Sequence, residues 1–274
     1  MTAMDGLEAV VRDVCLTRET ARRIACLLGL SPDEFTSGSI VPTGWHFPLI
    51  GSETPRSILR ADGFPGLGIP MPQLGLARVL AGGREVTYHG AIVIDAPLVR
   101  TSVITKIREK QSSNGPLAIV DVEHHICDAQ NSALLVHEKQ SYVLLSSVHA
   151  AKSAATDQAA APVGEVAQTV RLDDVFLFQF SALSFNSHKI HLDRRHAASE
   201  GYPDLVVNGG ISTLLMTELA RARLDRGISA IRVTNKAPLF VDRDISLTIE
   251  QSETGARICA YTDEHVLAAE MELS

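Results

Sequence analysis

The stretch FSALSFNSHKIHLDRRHAASEGYPDLVVNGG, Phe180–Gly210, decides how this chain is read. It ends in a hydrophobic, strand-like run, Leu205–Val207, that stops at Asn208-Gly209-Gly210. A helical pattern opens directly from those glycines: Ile211, Leu214, Leu215, Leu219 and Ala222 share one face over Gly210–Arg226, and Gly227 ends it. Upstream, Asn186, His188, His191 and Asp193 crowd into a few residues. An acid/base group thus stands near a helix N-terminus, whose unpaired N–H groups can hold an oxyanion. That pairing suits chemistry beside a thioester or another carbonyl.

The same logic recurs outward. Arg18–Leu30 carries Ala21, Ile24, Ala25 and Leu28 at helical spacing, with Thr17 as N-cap, Glu19 in the first turn and Gly29 and Pro32 at the end. Short antiparallel strands close each half. HGAIVIDAPLVRTSVITKIREK leads into GPLAIVDVEHH and KQSYVLLSSV; NKAPLFVDRDISLTIEQSE leads into ARICAYTDEH and VLAAEMEL. Ala91-Ile92-Val93-Ile94-Asp95 aligns with Pro238-Leu239-Phe240-Val241-Asp242, which points to a duplication. Between the halves, Ala150–Glu165 is Ala/Ser-rich, aperiodic and closed by Pro and Gly. It reads as a linker, with an isolated helix as the rival. A helix with one apolar stripe needs a sheet to cover it. The simplest architecture is an α+β one: an antiparallel sheet wrapping one helix, twice, with residues 1–149 and 166–274 as the two domains.

Composition excludes several classes. The 274 residues carry a net charge of −7 and no basic block, so nucleic-acid binding is not expected. No apolar run approaches the ~20 residues needed to span a bilayer, and the acidic N-terminus does not read as a signal peptide. Cys15, Cys26, Cys127 and Cys259 are scattered and are expected to be buried, reduced thiols in a reducing cytoplasm. The Gly/Pro-rich Gly63–Gly75 lacks a phosphate-loop lysine and reads as a rigid loop shaping a pocket. His124-His125 reads as a solvated pair. His188, His191 and Asp193 form a conceivable metal trio, but no fourth ligand accompanies them, and no metal or other cofactor is expected.

These residues resemble the MaoC-like, type 2 hydroxyacyl-thioester dehydratase group, in the neighbourhood of mesaconyl-CoA and itaconyl-CoA hydratases. The resemblance rests on Phe180–Arg194, Glu200-Gly201-Tyr202-Pro203 and Leu205-Val206-Val207, and more weakly on Gly44-Trp45-His46-Phe47, Leu59-Arg60-Ala61-Asp62-Gly63 and Ala81-Gly82-Gly83. It implies a double hotdog fold and hydration of a 2-enoyl-CoA, or dehydration of a 3-hydroxyacyl-CoA. His191 of the H-x-D element is then the catalytic acid/base, and Gly209 or Gly210 supplies the oxyanion N–H. Asn186 stands where the wider group has Asp and orients water or the imidazole. Asn208 stands where relatives have His, and Leu80 where they have an aromatic residue. Substrate contacts are expected from Asn208, Ser181, Trp45, Lys236 and Arg194. Lys236, Arg194, Arg195, Arg221 and Arg223 could meet coenzyme A phosphates, although each singly reads as a surface charge. The carrier is coenzyme A or acyl carrier protein, and the resemblance allows a homodimer. The first half lacks an H-x-D element and is expected to shape the acyl pocket. Two readings stand beside this one. A thioesterase would give Asp193 or Glu200 the leading role; a non-catalytic thioester binder would explain Asn186 and Asn208.

Overall fold

The computed structural model describes residues 8–70, 72, 74–112, 115–146 and 164–274; 150–163, most of the expected linker, lies outside them. The first half holds β1 (Val10–Val14), α1 (Arg18–Leu27), β2 (Arg78–Tyr88), β3 (Leu98–Ser112), β4 (Gly115–Asp128) and β5 (Leu134–Leu145). The second half holds β6 (Val166–Arg171), α2 (Asp174–Leu183), α3 (Arg194–Ser199), α4 (Gly209–Arg223), β7 (Ala230–Asn235), β8 (Asp244–Gln251), β9 (Ala256–Tyr261) and β10 (Leu267–Leu273). The strands form one ten-stranded antiparallel sheet, β1-β3-β4-β5-β2-β7-β10-β9-β8-β6. The halves join where β2 pairs with β7, Gly83 opposite Thr234 through Thr87 opposite Ala230. Gly83 is required there, because a Cβ would lie 2.3 Å from the Val233 carbonyl oxygen.

The aligned pair of sequences proves to be a repeated geometry. Val41 N–H donates to Ile92 O and Val207 N–H to Leu239 O, each at 2.8 Å. Asp95 N–H donates to Leu16 O and Asp242 N–H to Leu172 O. Both Asp95 (φ 67°) and Asp242 (φ 57°) adopt the left-handed conformation that Asp tolerates better than most residues. Leu16 and Leu172 in turn precede the N-caps of α1 and α2: Thr17 accepts from Thr20 N, and Asp173 accepts from Phe176 N.

This register corrects one expectation. The counterpart of α1 is α2, a helix the sequence reading did not resolve, and not α4. The long central helix occurs once. Val207 runs into Asn208-Gly209 and α4, whereas the equivalent Val41 runs into Pro42-Thr43-Gly44 and then only a 3-10 turn, Phe47–Ile50. Among the described residues the first half has no counterpart of α4. Nor is α4 a one-stripe helix. Nine of its residues, including Ser212, Thr213 and Thr217, are buried, because it is packed from several sides. Thr213 and Thr217 satisfy their hydroxyls on the carbonyls of Gly209 and Thr213. The main hydrophobic core, from Leu16 and Trp45 to Ile258 and Met271, runs through both halves, with smaller clusters around Leu67 and Val120 and around Ile190 and Tyr202.

Two further expectations change. His124 is 1% exposed and bonded through Nδ1 to Ser102 Oγ at 2.8 Å, because β4 continues through it; only its half-buried neighbour His125, stacked on His137, reaches solvent. Cys15 and Cys26 are exposed rather than buried, and all four thiols are free.

Candidate active site

The H-x-D element is held against the first half. Ser187 Oγ donates to Gly63 O (2.7 Å), Lys189 N–H to Asp62 O (2.8 Å) and Lys189 Nζ to Ala61 O (2.6 Å). Gly63 has φ +76°, and a Cβ on it would meet Ser187 O at 2.3 Å, so only glycine allows this approach. Asp62 binds Arg60 and the Phe64 N–H. The weak first-half motif around Arg60–Gly63 is therefore the brace of the second-half motif.

His191 is 7% exposed, in a 3-10 turn, Lys189–His191. Its Nδ1 lies 2.7 Å from Val206 O. A carbonyl oxygen only accepts, so Nδ1 carries the proton and Nε2 is left as the basic atom. Burial pushes the His191 pKa down to about 4, against a smaller upward pull from the Val206 carbonyl. Near neutral pH the imidazole is uncharged and ready to accept a proton.

Asn208 caps α4. Its Oδ1 accepts from Gly210 N (2.8 Å), its backbone carbonyl accepts from Ile211 N (2.8 Å), and its Nδ2 sits 3.5 Å from His191 Nε2. The Gly210 N–H, expected as one of two alternative oxyanion donors, is thus engaged by the cap. The Gly209 N–H, one residue earlier, has no acceptor among the described residues. Asn186 accepts from His188 N–H through Oδ1 (3.0 Å), which leaves its Nδ2 donors available. Asp193 is the N-cap of α3, accepting from Arg195 and His196 N–H. It braces the loop. The same geometry dissolves the His188–His191–Asp193 metal trio, since the Asp193 carboxylate is turned to the cap.

These groups face one cavity of about 820 Å³, within the ordinary size range for small-molecule sites. His191, His188, Asn186, Asn208, Gly209 and Gly210 line it from the second half. Phe47, Ile50, Phe64, Leu67 and Val79 give it an apolar first-half wall, which includes the start of the Gly/Pro-rich loop. Lys236 and Arg243 stand at its exposed end, Lys236 against Glu270 and Arg243 over the Phe240 ring.

Three expected substrate contacts are placed elsewhere. Trp45 is 0% exposed and donates Nε1–H to Glu218 Oε1 at 2.8 Å, packing against α4. Ser181 is buried in α2, its Oγ without a partner. Arg194 is spread over Asp174, Asp204 and Asp242 on the surface. None of the three lines the cavity. The sequence reading missed Arg84, Gln140 and Tyr142, which do. A signal was present in LLVHEKQSYVLL, Leu134–Leu145. Strand alternation puts Val136, Glu138, Gln140, Tyr142 and Leu144 on one face, so polar residues interrupt a core-facing row.

The buried histidines fix an acid response. Burial lowers His191 and His124 to about 4 and His188 to about 3. In the unfolded chain they take up protons near 6.5. Between pH 6.5 and 4 the unfolded state therefore binds more protons, and stability falls as pH falls, by up to ~1.4 kcal/mol per pH unit for each histidine. Calorimetry from pH 7 to 5 should show Tm dropping across this window; a flat Tm would contradict neutral, buried imidazoles.

The comparisons with known proteins agree with this geometry. Residues 44–241 match the family of hydroxyacyl-thioester dehydratases type 2. The chain is 36% identical over 237 residues to the mesaconyl-C(4)-CoA hydratase of Chloroflexus aurantiacus, covering 85% of this chain and 82% of that protein. Its backbone resembles a MaoC-like dehydratase (TM-score 0.70, 16% identity, 99% of this chain and 98% of the other). It also resembles a Mycobacterium tuberculosis protein with a double hotdog fold (TM-score 0.60, 12% identity, 98% and 96%). The match over 44–241 and the 36% identity place the chain in the hydroxyacyl-thioester dehydratase type 2 family, with a double hotdog α+β fold.

Proposed function

We propose that the chain adds water reversibly to a 2-enoyl-CoA, with a branched or dicarboxylic acyl group such as mesaconyl or itaconyl. The observation that carries the reading is the pairing of a neutral, buried His191 Nε2 with the unengaged Gly209 N–H at one cavity wall. Water accepts a hydrogen bond from Asn186 Nδ2 and gives its proton to His191 Nε2 as its oxygen bonds to Cβ. Electron density moves to the thioester oxygen, where the Gly209 N–H and the start of α4 stabilise it. The enolate then takes the proton back from His191 at Cα, so one imidazole serves as base and acid. Asn186 exchanges no proton, and Asp193 is turned away; His191 carries the whole transfer. Neither Asp193 nor Glu200, which the thioesterase reading would use, lines the cavity, and the carboxylates that do, Asp244, Asp263 and Glu264, are exposed.

Coenzyme A would enter at the Lys236 and Arg243 end, with the acyl group toward the first half. The same reading puts the enzyme in the cytoplasm and is compatible with a homodimer. Among the described residues no helix is long and apolar enough to cross a membrane. The test is enoyl absorbance after mixing the protein with crotonyl-, mesaconyl- and itaconyl-CoA. Loss of absorbance without free thiol is the expected result. Release of thiol, or no reaction with any of the three, would count against hydration.

A further inference from the structure

Behind the apolar wall of the cavity lies a polar network that the hydration chemistry does not use. Glu138 on β5 is 0% exposed. It lies 2.7 Å from His46 Nε2, accepts from Gln140 Nε2 at 2.6 Å, and pairs with Arg84 at 3.1 Å. Tyr142 Oη in turn donates to Gln140 Oε1. Glu138 is held ionised, its carboxyl pKa lowered to about 2; burial opposes this, but Arg84, His46 and Gln140 outweigh it.

A purely structural role accounts poorly for this cluster. Well-packed apolar residues commonly stabilise a core as well as a buried ion pair does, and the neighbouring inward residues Val136 and Leu144 show that this face accepts them. The order of the groups is informative. Glu138 is sealed behind, whereas Arg84, Gln140 and Tyr142 lie on the cavity surface. Arg84 is 16% exposed, and Glu138 is its only partner among the described residues. A guanidinium has five N–H donors in a planar fork, so most of them remain available on the cavity side.

The position fits the far end of a short acyl group. Asn235 Nδ2 donates to Ala81 O at 3.1 Å and borders Gly209, which ties Ala81 to the oxyanion donor. Arg84 lies three residues further along β2, up to roughly 10 Å away. A saturated or long-chain acyl tail reaching that point would leave the guanidinium facing hydrocarbon, its donors unmatched. A carboxylate would match the fork bidentately.

We propose that Arg84, held by Glu138 and flanked by Gln140 and Tyr142, binds a free carboxylate on the acyl group. The site thereby selects dicarboxylic 2-enoyl thioesters over monocarboxylic ones. This rests on the hydratase reading and specifies its substrate class.

The test compares kcat/KM for mesaconyl-CoA and crotonyl-CoA in the wild type, Arg84→Met and Arg84→Lys. The ratio of the two should favour the diacid in the wild type and fall by roughly 10²-fold in Arg84→Met, as when one partner of a desolvated charge pair is truncated. Arg84→Lys should recover part of the ratio, having the charge without the fork. Equal losses on both substrates would assign Arg84 to folding alone and overturn the proposal. So would a wild type that prefers crotonyl-CoA, although hydration itself would stand. A wild type that hydrates neither substrate removes the hydratase reading and this proposal with it. A second measurement needs no variant. Unreactive succinyl-CoA should inhibit the wild type at least about tenfold more tightly than butyryl-CoA, and equal inhibition would refute carboxylate recognition.

Discussion

Replacing His191 by alanine should lower kcat by about 10³-fold, within the range for removing a positioned general acid/base, and leave the fold intact. The chemical reason is that the cavity offers few alternatives. Asn186 cannot exchange a proton, Asp193 is occupied as a helix cap, and the exposed Asp263 and Glu264 stand at the open end of the cavity. The other titratable group beside it is His188, whose ring centroid lies 5.5 Å from that of His191. His188 is held in place by Phe64 and Asp62 and is even harder to protonate. His188→Ala therefore serves as the control. Kinetics on enoyl-CoA with circular dichroism on both variants decides the matter. Turnover of His191→Ala within about tenfold of the wild type would move the acid/base role elsewhere, first to His188. The substitution removes a ring from a cavity wall rather than from the packed core, so folding should survive it.

The second large effect is on stability. Glu138→Ala should destabilise the protein by about 3–5 kcal/mol, because it removes the anion paired with Arg84 and leaves the buried donors of His46 and Gln140 without their acceptor. For a chain of this size that corresponds to a Tm lower by roughly 6–15 °C. Glu138→Gln keeps an acceptor and loses the charge, so its loss should be smaller. Calorimetry or urea unfolding gives the answer directly. A Tm for Glu138→Ala within about 2 °C of the wild type would mean that the network contributes little net stability. Its conservation of shape around Arg84 would then be its main consequence.

Much of this protein was legible in its residues because the signals were local. Thr17 as N-cap, the apolar positions of α1 and the glycines that open α4 each depend on neighbours within a few positions, and the Ile92–Asp95 and Leu239–Asp242 repeat shows in the residues themselves. The H-x-D element carries its own cap, since Asp193 accepts from the N–H groups of Arg195 and His196 two and three residues on. The sequence also contained the reason the halves differ. Pro42 stands where Asn208 caps α4, and a proline has no side-chain acceptor with which to cap a helix.

What sequence could not decide were the contacts between distant segments. Nothing near Trp45 reveals that its indole N–H meets Glu218, or that Arg194 would be drawn to three aspartates rather than to a ligand. Nothing near Gly209 reveals that Asn208 would take the Gly210 N–H and leave Gly209 free. The juxtaposition of Arg84 with Glu138 depends on the pairing of β2 with β5, Arg84 opposite Gln140, about which each strand alone is silent. Local hydrogen bonding and periodicity determined the helices, their caps and the turn that carries His191. The register of the β2–β5 and β2–β7 ladders, set by burial across the whole sheet, decided which side chains share the cavity.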